Sequence, residues 1–120
     1  MKNPQFAKMP WYPRDFASAT RGWPLVARGV YRELLDGQWD LDGLLPDNEE
    51  VLRAMAGATP AEWKIAWPYV GPKFPIVPGG RRNARLEEHR ELLLRNYRSR
   101  AASIEKVNSR RLNGHASADE

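Results

Sequence analysis

Between Pro24 and Trp39 the apolar residues recur at the three-to-four spacing that lines one face of an α-helix: Val26, Val30 with Tyr31, Leu34 with Leu35, and Trp39. Pro24 fits the first helical position, where its missing N–H costs nothing and its φ is already helical. Arg28, Arg32 and Asp36 fall at four-residue intervals on the polar side, and Arg32 and Asp36 are spaced to pair weakly. Gly29 costs about 1 kcal/mol of helix propensity relative to Ala, so its place beside the stripe suggests that another element packs close to it. This helix is the expected centre of the core.

Upstream, residues 1–8 read as a flexible arm. In Met9 to Phe16 two prolines flank Trp11 and Tyr12 and favour an extended path, because proline biases the residue before it away from helix. Arg14 and Asp15 read as a surface pair or part of a polar contact, and Ala17 to Trp23 as a turn or short helix. Downstream, Asp40 to Pro46 reads as a turn and a short extended segment. Asp47 is placed to cap a second helix, with Glu50 completing a capping box and Glu49 near the positive helix end. That helix should bury Val51, Leu52 and Met55 and stop at Gly57. Thr59, Pro60 and Glu62 then give the cap, first residue and acid of a third helix, which should reach Val70 with a kink or early end at Pro68.

Two short helices joined by a glycine-containing turn form the core of a helix-turn-helix. Phe74 to Val77 and Arg81 to Arg85, joined by Pro78-Gly79-Gly80, read as a hairpin, the arrangement of a winged helix. From Ala84 or Leu86 to Val107 the chain lacks Gly and Pro and reads as one long helix, with Leu86, Leu93, Tyr97 and Ile104 on one seam and Leu94 and Ala101 beside it. About 24 residues at 1.5 Å each span about 36 Å, so the distal part should project. The expected fold is mainly α: a winged helix-turn-helix-like domain over 9–94 with a small β-hairpin and a long C-terminal helix. Its projecting part is 95–107, followed by a disordered tail over 108–120.

The 120 residues suffice for one domain with a modest core. The absence of Cys removes disulfides and cysteine chemistry and fits a cytoplasmic location. No apolar run approaches the roughly 18 residues of a membrane helix. The net charge of +4 is unevenly placed. Met1 to Gly80 balances nine Lys/Arg against nine Asp/Glu, whereas Arg81 to Arg111 holds ten against four. A clustered basic segment points toward a polyanionic partner, nucleic acid above all, with a merely solvated helix as the competing reading.

The order PWYPRDF, Thr20, RGVYRELLDGQW, GLLPDNEE, ATPAEWK and RRNARLEEH resembles the domain-of-unknown-function family typified by the prophage protein YdaU, over about Met9 to Leu92. The most specific part is the set Arg28-Gly29-x-Tyr31-x-x-Leu34-Leu35-Asp36 with Trp39 and then Leu45-Pro46. The resemblance implies a winged-helix-like domain of phage and prophage replication proteins, often placed ahead of a region resembling a replisome organiser or helicase loader. It implies a role near replication initiation and supplies no catalytic residues. Pro24 and Ala27 stand where the family has a Ser-x-x-Glu capping box, and the hairpin turn is shortened to Pro-Gly-Gly. Only a helix and short tail follow the shared domain, so any second functional domain is expected from another chain.

Catalytic, metal and cofactor sites are not expected. His89 and His115 lack metal-ligand spacing and a base-nucleophile partner, and Asp40-Leu41-Asp42-Gly43 lacks the rest of a calcium loop. Helix-turn-helix geometry places the third helix in the major groove and the hairpin on the backbone. The outward side of that helix holds Ala61, Glu62, Lys64, Ile65 and Tyr69, one cation and one anion, which makes it a weak electrostatic reader. The expected DNA contacts are therefore Lys64, Tyr69, Lys73, Arg81, Arg82, Arg85, Arg95 and Arg98, extended by Arg100 and Lys106. Phosphate contacts of this kind give affinity and salt dependence without reading sequence, so the expected DNA contact is non-specific or shape-assisted. The alternative is an adaptor or inhibitor that binds a replication protein, such as a helicase or its loader, or a second copy of itself, through Ile65, Leu93, Tyr97 and Ile104. Arg90 and Arg100 near the seam argue against a long coiled coil. The two readings are compatible.

Overall fold

A computed structural model describes residue 6 and residues 8–118, the last six of these as helix backbone only. Five helices and one small hairpin follow in the order α1 (Pro13–Ala19), α2 (Leu25–Asp40), α3 (Glu49–Ala56), α4 (Pro60–Val70), a 3-10 turn (Gly71–Lys73), β1 (Ile76–Val77), β2 (Gly80–Arg81) and α5 (Ala84–Ala118). The molecule is mainly helical.

The apolar stripe of α2 becomes the centre of the core. Ala27, Val30, Tyr31, Leu34, Leu35 and Trp39 are buried there against Leu52 of α3, Trp63, Ala66 and Val70 of α4, Phe74, and Leu86 at the start of α5. Pro24 is the N-cap rather than the first helical residue; its carbonyl accepts from the N–H groups of Ala27 and Arg28. Gly29 is not the close-approach glycine, since a methyl there would meet nothing within 4 Å. That role belongs to Gly37, where a Cβ would lie 2.5 Å from the end of Met55 and 3.7 Å from Leu45. Gly37 sits one turn from the C-terminus of α2, where α3 and the segment around Leu45 lie against the helix.

Local chemistry sets the other helix ends. Pro13 opens α1 inside the stretch expected to be extended, because the residue proline biases away from helix is Tyr12, which serves as the N-cap. The cap of α3 is Asn48, not Asp47: its Oδ1 accepts from the N–H groups of Glu50 and Val51 at 3.0 and 3.2 Å. Asp47 is instead drawn to Arg81. Leu52 is buried and Met55 packs against the core, but Val51 faces solvent, one step off an eight-residue helix with a narrow inner face. Gly57 ends α3 in the left-handed conformation that glycine adopts without penalty. Thr59 and Glu62 form the reciprocal capping box that opens α4, and α4 continues through Pro68 to Val70.

The hairpin is short: Ile76 pairs with Arg81 and Val77 with Gly80 around Pro78-Gly79. The return strand ends at Arg81 rather than Arg85, because Asn83 already caps α5, its Oδ1 accepting from Leu86 N–H at 3.0 Å. Leu45 adds a third rung, exchanging backbone hydrogen bonds with Arg81 at 2.9 and 2.8 Å. A side chain at Gly80 would collide with the Leu45 carbonyl oxygen, so that rung requires glycine there. Gln38, fully buried in α2, closes the assembly by donating to the Asn83 carbonyl and accepting from the Asn83 N–H at 3.1 and 2.7 Å.

The long helix continues past Val107 to Ala118, so the stretch expected as a disordered tail is helical over 108–118; residues 119 and 120 lie outside the described residues. Its Ala, Arg, Lys and Leu content favours helix, and no proline interrupts it. At 1.5 Å per residue α5 is about 52 Å long, and the molecule measures 76 × 29 × 21 Å. Of the expected flexible arm, residues 1–5 and 7 also lie outside the described residues. Phe6 packs between Trp39 and Tyr97, each ring centroid 6.4 Å from its own, and its carbonyl accepts from the Trp39 indole N–H at 2.8 Å.

Candidate nucleic-acid interface

The outward face of α4 forms as its pattern requires. Lys64, Ile65 and Tyr69 are exposed, while Trp63, Ala66 and Val70 point inward. Trp63 stacks on Trp67 at 4.8 Å and donates its indole N–H to Glu49 at 3.1 Å, fixing α4 against the start of α3. Tyr69 leans on Trp23 at 5.7 Å, and the half-buried Lys73 lies 6.0 Å from the same Trp23 ring.

The hairpin arginines each have a partner within the chain. The Arg81 side chain is only 16% exposed; it pairs with Asp47 at 2.8 Å, donates to the Phe74 carbonyl at 3.1 Å and lies 5.1 Å over Trp67. Arg82 donates to the Gly43 carbonyl at 2.8 Å. Arg85 pairs with Asp15 at 2.6 Å, so Asp15 reaches across to α5 instead of pairing with Arg14. These side chains staple the loop before α3, and α1, to the hairpin and the first turn of α5. Opposite charges and exposed carbonyls within reach of a guanidinium explain the outcome.

The long helix divides into two halves. In the proximal half Leu86 and Leu94 are buried and Leu93 packs against the core, so Leu93 serves the fold before any partner. Glu87 and Arg90 make a two-point ion pair at 2.6 and 3.0 Å, and the Glu87 bond raises the Arg90 pKa above its already high value. The distal half is different: every residue from 95 to 112 is exposed. That stretch carries Arg95, Arg98, Arg100, Lys106, Arg110 and Arg111 against Glu105 alone. Tyr97 and Ile104 are 46% and 62% exposed, with Val107 and Leu112 also open to solvent.

A cavity of about 360 Å³ lies between α1 and the junction of α2 with α5. Trp11 and Phe16 meet at 4.9 Å, Phe16 stacks on Tyr31 at 5.5 Å, and Tyr12 lies 4.4 Å from the His89 ring, so its walls are largely aromatic. The Tyr31 hydroxyl accepts from the Asn83 amide at 3.4 Å, and burial raises its pKa despite that bond and the charge of Arg85. Nothing in the sequence pattern around Trp11, Tyr12 and Phe16 signals that they enclose a space. The partners of Asn83 and Arg85 lie far along the chain and leave no periodic signal.

Among the described residues no helix is long and apolar enough to cross a membrane. A family model described as a protein of unknown function (DUF1376) matches residues 9–91, and the chain belongs to that family. No curated protein and no solved structure matches it.

Proposed function

We propose that this member of the DUF1376 family is a non-enzymatic, cytoplasmic DNA-binding accessory of phage or prophage replication, which grips phosphates with the distal half of α5. The observation that carries this reading is the exposed stretch 95–112, where six cations stand against one anion along one helix. Such a helix attracts the DNA backbone and releases counterions on binding, which gives affinity without sequence preference. The α3–α4 pair followed by a hairpin suits the winged-helix class, and the YdaU-like motifs between Trp11 and His89 supply the link to replication. Within this reading Arg95, Arg98, Arg100 and Lys106 contact DNA together with Arg110 and Arg111, while Arg81, Arg82 and Arg85 hold the domain that presents them. Lys64 and Tyr69 are left as peripheral contacts on α4.

The exposed apolar groups favour a second reading, an adaptor for a helicase, its loader or a second copy of the chain. Tyr97 and Ile104 lie on one side of the distal helix, and Ile65 stands open on α4. Arg100 and Arg111 fall among the α5 groups and disfavour a long self-pairing seam.

Fluorescence anisotropy with random-sequence duplex and single-stranded DNA over a salt series, beside light scattering for mass, tests both. A DNA binder associates at low salt and loses affinity steeply between about 50 and 200 mM. Absence of binding at low salt, with capture of a replication protein abolished by Tyr97→Asp or Ile104→Asp, would replace it with the adaptor.

A further inference from the structure

The aromatic cavity and the basic helix face the same way. Arg85 and His89 line the cavity, and from them steps of three, four and seven residues lead along α5 to Asn96, Arg100, Val107 and Arg110. Steps of this size stay on one face of a helix. From Arg85 to Arg110 that face runs about 38 Å. A chain of phosphates following the distal cations is thereby led to the cavity mouth.

The cavity suits a flat ring that carries a hydrogen-bond acceptor. Its walls are Trp11, Tyr12, Phe16 and Tyr31, and its volume lies within the range that holds small planar ligands. One polar group at the wall has a use left over. The Tyr31 hydroxyl, on a residue only 7% exposed, accepts from Asn83, whose own amide and carbonyl groups are engaged by the Lys73 carbonyl and the Leu86 N–H. A phenol hydroxyl that accepts one hydrogen bond can also donate its own proton. At the mouth, the Arg85–Asp15 pair leaves the Arg85 side chain 65% exposed.

We propose that this cavity receives one unpaired nucleobase of a single strand whose backbone lies along the α5 face bearing His89, Asn96, Arg100 and Arg110. The inference rests on the nucleic-acid reading of α5 and deepens it: the ligand is single-stranded, held by charge along the helix and by one stacked base at its root. Aromatic stacking of this kind tolerates any base, since each has a π-face.

The test compares a 12-nucleotide oligothymidylate with a 12-residue abasic strand of the same backbone charge, by anisotropy at low salt, on the full chain and on Ala19→Trp, which fills the cavity from α1. The expected result is about tenfold tighter binding of the base-bearing strand by the wild type, with the two strands bound alike by Ala19→Trp. Equal binding of both strands by the wild type overturns the base pocket and leaves the charged helix standing. A preference that survives in Ala19→Trp also overturns it, since the base is then held elsewhere. No binding of either strand removes both proposals together. Should circular dichroism show Ala19→Trp unfolded, Trp11→Ala, a 41% exposed wall residue, takes its place with the same expectations.

Discussion

Two groups of arginine sit on either side of the point where the hairpin becomes α5, and they have opposite fates. Arg81, Arg82 and Arg85 reach back onto Asp47, the Gly43 carbonyl and Asp15. Arg100, Arg110 and Arg111 stand in solvent on a helix that no other element covers. The residue type is the same, and so is its sign, but the first group lies within reach of acceptors supplied by α1 and the loop before α3. A guanidinium pairs wherever a carboxylate or carbonyl comes close, so density of positive charge along a sequence does not locate a polyanion site. Charge that the fold leaves open to solvent is the better guide, and the proposed function rests on such charge along the projecting helix.

This contrast is broken most directly by reversing charge in the distal group. Arg100→Glu, Lys106→Glu, Arg110→Glu and Arg111→Glu together should lower affinity for random DNA by on the order of a hundredfold or more at low salt. The thermal midpoint should barely move, because these side chains contribute nothing to the core. A drop in midpoint of many degrees would show that the distal helix packs on something.

The next effect is on stability. Arg81→Ala removes an ion pair whose arginine is mostly buried and whose carboxylate is half exposed, a bond to the Phe74 carbonyl and the cover over Trp67. Chemical denaturation should show a loss of about 2 kcal/mol, with DNA affinity unchanged within twofold. A large affinity loss in a folded Arg81→Ala protein would return the hairpin to the interface. Arg82→Ala, which loses one bond to the Gly43 carbonyl, should cost about 1 kcal/mol in the same measurement. Arg85→Ala comes last: its pair with Asp15 is largely exposed and should contribute less than about 1 kcal/mol.

The parts of this picture that were legible in the sequence are those set by neighbours a few residues apart. The α2 stripe, the Thr59-Pro60-Glu62 start of α4, the Gly57 stop and the Pro78-Gly79 turn depend on local propensity and periodicity. Errors of a single position also have local causes, such as Asn48 taking the cap while Asp47 turns to Arg81. The partners of the hairpin arginines are of another kind. The chain separations from Asp47 to Arg81, Gly43 to Arg82 and Asp15 to Arg85 are 34, 39 and 70 residues, and no spacing rule reports a contact made by folding. The cavity was hidden for the same reason, since its walls come from the segment before α1, α1 itself, α2 and α5. Gly29 and Gly37 complete the lesson: both lie in α2, and only the approach of Met55 tells them apart.

The division of labour between the two arginine groups is tested most directly by the slope of log affinity against log salt, measured for the wild type, for Arg81→Ala with Arg82→Ala, and for the fourfold α5 variant. The account predicts that the hairpin variant keeps the wild-type slope, while the α5 variant flattens it by about 3.6 for duplex DNA, near 0.9 for each of four phosphates no longer neutralised. A hairpin variant that loses slope while the α5 variant retains it would contradict the account.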